Sequence, residues 1–187
     1  MTSISISLDT CTECDLHKTR TQVVPGTGPT DATIALVGEA PGRDEDKTGR
    51  PFVGKAGNML DSLIVQAGLR RSDLYITNRL KCKPVGNDLK SCPDAVVRCP
   101  ELWLWSELRD LPNLKVVIAL GLTAANLWHM GKRAKDISQA ARVVFYKEEG
   151  SRIIIGSYHP SFAMRPGNEW ARVEIVGSLR RAKELAQ

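Results

Sequence analysis

Four short apolar runs are spaced along the chain, each rich in isoleucine, valine or leucine and bounded by glycine, asparagine or serine. Runs of this length and composition predict buried β-strands. They cover Thr33–Val37, Leu74–Thr77, Val116–Leu120 and Ile153–Ile155, and Val143–Tyr146 is a candidate fifth strand at an edge.

Apolar residues at helical spacing lie between these runs. The clearest pattern is Met59, Leu60, Leu63 and Ile64. Helices are predicted over Ala56–Ala67, Pro93–Leu108, Thr123–Met130 and Trp170–Ala186. Strands that alternate with helices predict an α/β fold with a parallel sheet and helices on both faces. Residues 1–187 are expected to form one domain.

Polar side chains follow three of the four strand predictions. Ligands of such folds bind beyond the carboxyl ends of the strands, so these residues are expected at one rim of the sheet. They are Glu39 in the segment Gly38–Gly42, then Asn78, and then His159 with Ser161. Taken singly, an asparagine after a strand more often caps a turn, and a lone histidine is most often structural.

Composition describes an ordinary soluble globular chain, with 42% hydrophobic and 25% charged residues. No apolar run approaches the length that spans a bilayer, and the first residues lack a signal-peptide pattern, so a cytoplasmic protein is expected. The net charge of +5 is compatible with a polyanionic partner, but also with a solvated surface. Basic residues recur in two loops, at Arg43, Lys47, Arg50 and Lys55 and at Lys132, Arg133 and Lys135.

The loop Gly38–Gly57 holds five glycines and two prolines, so its backbone can approach a ligand closely. It lacks the Gly-Lys-Ser/Thr ending of a phosphate-binding P-loop. A carboxylate at Glu39 could orient water or oppose positive charge, and Phe52 could stack on a planar ring. A flexible surface loop with Phe52 in the core fits the same residues.

Four of the five cysteines form a pattern typical of a four-thiolate metal site. Cys11 and Cys14 form a CxxC pair, Cys82 follows the second strand, and Cys99 lies in a predicted helix. Zinc and a four-iron cluster both accept four thiolates, and the spacing does not separate them. Cys92 is the rival fourth ligand, but it lies at the start of the helix beside Pro93.

The segment Gly38–Gly57 resembles the first motif of family 4 uracil-DNA glycosylases, and the His-Pro-Ser triplet at 159–161 resembles the second. The resemblance implies a three-layer α/β/α fold with a four-stranded, largely parallel sheet. It implies that Glu39, Ala40 and Pro41 contact uracil and that Phe52 stacks on it. Asn78 would read the edge of uracil, and His159 would support O2 of the leaving base. Glu39 and His159 are the expected catalytic residues.

Contacts to DNA are implied for the segment that follows His159, through Ser161, Met164 and Arg165. Relatives carry two leucines before the arginine, whereas this chain has Ala163 and Met164. Met164 is therefore the expected apolar wedge in the minor groove. Lys81 and Lys83 are expected to face DNA.

The resemblance also implies a [4Fe-4S] cluster on Cys11, Cys14, Cys82 and Cys99. The predicted function is monofunctional removal of uracil from DNA, by a monomer. No motif contains a Schiff-base lysine, so strand cleavage is not expected. The insert that traps DNA covalently in some relatives is missing after Asn78. The alternatives are a non-catalytic DNA- or uracil-binding module of the same fold, associated with replication, and a zinc-stabilised nucleotide-binding domain.

Overall fold

The computed structural model describes residues 7–128, 143–145 and 152–187, with the backbone alone at 143–145. Its sheet contains β1 (Ile34–Gly38), β2 (Tyr75–Asn78), β3 (Val116–Leu120), β4 (Val143–Phe145) and β5 (Ile153–Ser157). The strand order is β2-β1-β3-β5-β4. Strands β2, β1, β3 and β5 are parallel, and β4 pairs antiparallel with β5. The predicted strands are confirmed, including the fifth at an edge; Tyr146 lies outside the described residues.

The parallel register brings the carboxyl ends of the strands to one rim. Gly38 of β1 lies beside Asn78 of β2, and Leu120 of β3 lies beside Ser157 of β5. Residues that follow these strands therefore start from neighbouring points in space, as the sequence predicted.

The helices connect the strands as the alternating pattern predicted. They are α1 (Arg43–Thr48), α2 (Lys55–Gln66), α3 (Pro93–Cys99), α4 (Trp105–Arg109), α5 (Leu122–Ala125), α6 (Pro160–Ala163) and α7 (Trp170–Leu185). Short 3₁₀ turns lie at Leu8–Thr10, Asp15–Lys18, Arg71–Asp73, Val85–Asn87 and Leu89–Ser91. The helix predicted over Thr123–Met130 is observed at Leu122–Ala125, and positions beyond 128 lie outside the described residues. Within those residues, no helix has the length and apolar character needed to cross a membrane.

Helices cover both faces of the sheet, and each face has its own apolar cluster. Alternate strand residues such as Leu36 and Ile118 pack with α2 and α7. Their neighbours, such as Val37 and Val117, pack with α4 and α5 on the opposite face. Every residue of β1 and β3 is buried as a result, which explains why these strands are apolar throughout. The predicted three-layer α/β/α architecture is confirmed.

The helix predicted over Pro93–Leu108 is interrupted by a π-helical turn at Pro100–Leu104. Proline has no amide hydrogen and clashes with the carbonyl four residues earlier, which here belongs to Val96. That carbonyl accepts instead from Arg79, at 3.2 Å from Nε and 2.6 Å from Nη2. A widened turn of this kind is a common feature of functional sites, and Cys99 immediately precedes it.

A third apolar cluster attaches the N-terminal arm to the rest of the fold. Leu16 and Val23 of the arm pack against Leu80, Cys82 and Cys92. Thr27 also forms an antiparallel bridge with Ile76, so the arm covers the outer edge of β2. The arm thereby brings its two cysteines toward the segment that follows β2.

Candidate active site

A cleft of about 420 Å³ opens at the carboxyl rim of the sheet. Its lining includes eight of the nine residues predicted to contact uracil or DNA: Glu39, Ala40, Pro41, Phe52, Asn78, His159, Ser161 and Arg165. A neighbouring groove of about 520 Å³ shares Glu39, His159 and Arg165 with the cleft. Two adjoining hollows of this kind suit one small planar group together with the chain that carries it.

Gly38 makes room for two side chains of the cleft. A Cβ at this position would lie 2.5 Å from Cζ of Phe52 and closer still to Oδ1 of Asn78. Real Cβ atoms do not approach other atoms so closely, so a glycine is required here for reasons of space. The end of β1 therefore allows the aromatic ring and the carboxamide to lie side by side over the backbone.

Phe52 adopts a left-handed backbone conformation, with φ of 53°, which is strained for an aromatic residue. Arg71 holds this turn by donating to the carbonyl of Pro51 at 2.7 Å and to that of Phe52 at 3.1 Å. Glu45 holds the other side of the turn, because its Oε1 accepts from the amide of Val53 at 2.9 Å and from that of Gly54 at 2.8 Å. The ring of Phe52 is consequently fixed in place before any ligand arrives.

Asn78 is 2% exposed and ends β2. The backbone beyond it stays attached to the first loop, because Arg79 donates to the carbonyl of Gly38 at 2.9 Å and Leu80 donates to that of Glu39 at 3.1 Å. The carboxamide therefore extends into the cleft from a rigid strand end. A buried carboxamide offers two donors and an acceptor in one plane, which can distinguish the edges of planar heterocycles.

His159 precedes α6, and its hydrogen bonds define its tautomer. The amide of Ser161 donates to Nδ1 at 3.2 Å, so Nδ1 is an acceptor and the neutral ring carries its hydrogen on Nε2. The hydroxyl of Ser161 lies 2.8 Å from the same nitrogen. Burial lowers the pKa of His159 to about 4, with a further contribution from the positive charge of Arg165. The residue is thus a neutral hydrogen-bond donor near pH 7, with its ring centroid 5.8 Å from that of Phe52.

Helix α6 ends at Ala163, and the predicted wedge Met164 follows directly. Ala163 is fully buried within the core, whereas Met164 is 38% exposed. Of these two side chains, Ala163 therefore faces the core and Met164 projects from it. The rings of Tyr158, Phe162 and Trp170 pack together behind it, with centroids 5.0 to 6.1 Å apart. Met164 is the ninth predicted residue, and it lies beside the cleft rather than in its lining.

The four predicted cysteines line a second, apolar pocket: Cys11, Cys14, Cys82 and Cys99. Cys92 is not part of that lining, and its thiol points to the carbonyl of Leu89 at 3.6 Å. Arg20 donates to Sγ of Cys82 at 3.3 Å. Burial raises the pKa of Cys99 to about 12, against the opposing effect of the Lys81 amide that donates to it. Among the residues the model describes, no three or more histidine, cysteine, aspartate or glutamate side chains are grouped to hold a single metal ion.

Sequence reasoning missed the residues that support the site. Glu45 and Arg71 contact the Phe52 turn from 7 and 19 positions away, and only Glu45 had a local signal, the capping-box spacing after Gly42. Lys81 was predicted to face DNA, and this is wrong. It is fully buried and forms an ion pair with Glu107 at 2.6 Å. The reason is that α4 places the carboxylate of Glu107 next to the end of β2, where it pairs with the ammonium of Lys81.

The fold and the cleft together define a protein with a base-sized site at the carboxyl rim of an α/β/α sandwich. Residues 25–180 match the family model of the uracil DNA glycosylase superfamily, and the chain belongs to this family. It is 43% identical over 183 residues to a protein of Archaeoglobus fulgidus named Type-4 uracil-DNA glycosylase, covering 94% of this chain and 87% of the relative.

Two further relatives carry the same name. The protein of Thermotoga maritima is 36% identical over 185 residues, covering 99% of this chain and 94% of its own. The protein of Pyrobaculum aerophilum is 35% identical over 161 residues, which cover 83% of this chain and 80% of the relative. The resemblance seen in the motifs therefore extends over most of the chain.

Proposed function

We propose that this protein is a uracil-DNA glycosylase, which flips uracil out of DNA and hydrolyses its bond to deoxyribose, leaving an abasic site. The observation that carries the proposal is the convergence of Phe52, Asn78 and His159 on one cleft in a member of this superfamily. The names of the relatives support it. The family match over residues 25–180 also supports one domain, 1–187.

Recognition of uracil falls to a stacking surface and a hydrogen-bonding edge. Phe52 stacks on the flipped ring, and the backbone at Glu39, Ala40 and Pro41 closes one side of the cleft. Asn78 donates to O4 of uracil and accepts from its N3–H. Cytosine presents the opposite pattern at these atoms, so it would leave buried polar groups unpaired at a cost of about 1–3 kcal/mol each.

Hydrolysis breaks the bond between C1′ and N1, and the electron pair passes to the uracil ring. His159 donates from Nε2 to O2, where the negative charge gathers, and stabilises the departing anion. A neutral histidine suits this task, because its Nε2 hydrogen is available to donate at neutral pH. Glu39 orients the water that adds to C1′ or opposes the positive charge of the sugar. The water delivers hydroxide to C1′, and its proton neutralises the base.

The segment that follows His159 along the chain holds the DNA. Ser161 and Arg165 line both hollows and contact the backbone of the damaged strand. Met164 fills the gap that the flipped base leaves in the stack. We propose that the protein acts as a monomer. No lysine lines the cleft among the described residues, in agreement with hydrolysis without strand cleavage.

The second pocket suits a [4Fe-4S] cluster. Four thiols from the arm, from the segment after β2 and from the end of α3 face a common space. Four thiolates can hold either a zinc ion or a four-iron cluster, and the resemblance to family 4 enzymes favours the cluster. When bound, the cluster would cross-link the arm to the body of the protein. Cys11, Cys14, Cys82 and Cys99 would hold it, and Cys92, which does not line the pocket, would be a spare thiol.

The test is release of uracil from an end-labelled single-stranded oligonucleotide with one uracil. We expect an abasic site that breaks only after alkali, and no product from strands with cytosine or thymine at that position. Tight binding of the uracil strand without any release would instead favour the non-catalytic module of the same fold.

A further inference from the structure

We propose that Lys81 is a positioning residue, which fixes Asn78 for base recognition and joins the uracil cleft to the cysteine pocket. The inference rests on the proposed function for the role of Asn78. The ion pair between Lys81 and Glu107 is largely buried, with Lys81 fully buried and Glu107 15% exposed, and neither residue lines the cleft.

The carbonyl of Asn78 points out of the sheet and needs a donor from elsewhere in the protein. In a planar trans peptide, the carbonyl of one residue and the amide of the next point in opposite directions. The amide of Arg79 donates to Gly38 of β1, so the carbonyl of Asn78 points away from the sheet. β2 is the edge strand of the described sheet, and on its outer side the arm pairs with Ile76 and not with Asn78.

Lys81 supplies the missing donor. Its ammonium donates to the carbonyl of Asn78 at 2.9 Å, to Oγ1 of Thr77 at 2.6 Å and to Oε2 of Glu107 at 2.6 Å. Its three hydrogens thus have three acceptors, and the side chain is fully buried. The contact fixes the backbone of the residue whose carboxamide enters the cleft.

Glu107 holds the ammonium in place. Its Oε2 also accepts from the hydroxyl of Thr77 at 2.7 Å, and its Oε1 accepts from the amide of Gly26 at 3.0 Å. The carboxylate therefore connects α4, the end of β2 and the N-terminal arm. Any shift of α4 or of the arm is passed to Lys81.

The backbone of Lys81 reaches the other site. Lys81 lines the cysteine pocket together with Cys99, and the next residue, Cys82, lines it too. One residue thus lies against the cysteine pocket and contacts Asn78 through its ammonium. A cluster held by these cysteines would fix the segment on which the reading of the base depends.

If the ion pair between Lys81 and Glu107 were purely structural, removing it would lower the stability of the protein, and excision would fall only because less protein is folded. Positioning predicts a different result: slow excision in a stable variant that still binds DNA. Lys81→Met keeps the aliphatic stem and removes the ammonium, but it leaves the charge of Glu107 unpaired. Lys81→Met/Glu107→Leu removes both charges, and such replacements often restore stability.

Single-turnover excision from a single-stranded uracil oligonucleotide, DNA affinity, melting temperature and absorbance near ~400 nm are measured for each variant. We expect the double variant to melt near the wild-type temperature and to bind DNA within about threefold, but to excise uracil about 10- to 100-fold more slowly. Thr77→Val leaves the contact between Lys81 and Asn78 intact, so its rate should stay within about threefold. Lys115→Met is the control at the opposite end of the strands.

The proposal would be overturned if a stable double variant excised uracil at the wild-type rate. It would also be overturned if Thr77→Val slowed excision as much as the double variant does. Hydrogen exchange over residues 76–82 provides a readout independent of activity. Lys81→Met should accelerate exchange at the Arg79 amide, and Lys115→Met should not. If the wild-type protein released no uracil, the proposed function would fail, and unchanged exchange in Lys81→Met would separately refute the positioning role.

Discussion

A single added methyl group at Gly38 should disable the cleft while leaving the fold in place. The Cβ of Gly38→Ala would lie 2.5 Å from Cζ of Phe52 and closer still to Oδ1 of Asn78. Neither neighbour can yield freely. The Phe52 turn is held by Arg71 and Glu45, and Asn78 ends a strand whose backbone is fixed on both sides. Both the stacking ring and the reading carboxamide must therefore move.

The magnitude follows from the cost of overpacking. Forcing one methyl group into a well-packed site costs about 1–3 kcal/mol. If the cleft relaxes by displacing its two recognition groups, the transition state loses a similar amount. Since each 1.36 kcal/mol is a factor of ten, kcat/KM should fall by roughly 5- to 150-fold.

Gly177→Ala is the matched control, because a Cβ on that residue of α7 would meet nothing within 4 Å. Removing a glycine from a helix interior should raise the free energy of unfolding by about 1 kcal/mol and leave excision unchanged. The assay is single-turnover excision of uracil from single-stranded DNA, with thermal melting of each variant. Wild-type excision by Gly38→Ala would refute the account of how the cleft is formed.

Four other predictions concern separate parts of the site. Burial lowers the pKa of His159 to about 4, so the ring should titrate far below ~6.5 in an NMR titration. Its contribution to the free energy of unfolding should be lost as the pH falls from ~6.5 toward 4, and a midpoint near 6.5 would contradict the assignment. Asn78→Asp places an acceptor opposite O4 of uracil and should slow excision sharply; an unchanged rate would make Asn78 a turn residue. Met164→Ala should slow excision most from a U·A pair, less from a U·G mismatch and least from a single strand, because the cost of flipping decreases in that order; equal slowing would show that Met164 supports the fold. Cys92→Ser should retain the iron content of anaerobically purified protein and Cys99→Ser should lose it, whereas the reverse result would exchange the two ligands.

Much of the fold was predictable because it depends on local patterns. The strand predictions lie within about two residues of the observed bounds, since both faces of the sheet are covered and the runs are apolar throughout. The rim positions of Glu39, Asn78 and His159 follow from the parallel topology alone. The π-helical turn was not predicted from the sequence, because a proline such as Pro100 is also typical of the first turn of a new helix.

The supporting residues were not predictable because their partners are distant in sequence. Lys81 is a charged residue between Arg79 and Lys83, a pattern typical of an exposed basic segment, and only the packing of α4 shows that Glu107 meets it. The strain at Phe52 depends on Arg71, 19 positions away. The direction of Ala163 also depends on how α6 packs against α7, which the His-Pro-Ser motif does not encode.

The central claim is tested most directly by mass spectrometry of a single-stranded uracil oligonucleotide after a single turnover with the wild-type protein. The account predicts one free uracil per strand and an intact strand that has lost the base and gained a hydroxyl group at C1′. His159→Ala should reduce this yield at the same time point by about 100-fold or more, as the loss of one donor to a developing anion does in other enzymes. An unchanged oligonucleotide, recovered in full from a stable complex with the wild-type protein, would contradict the claim.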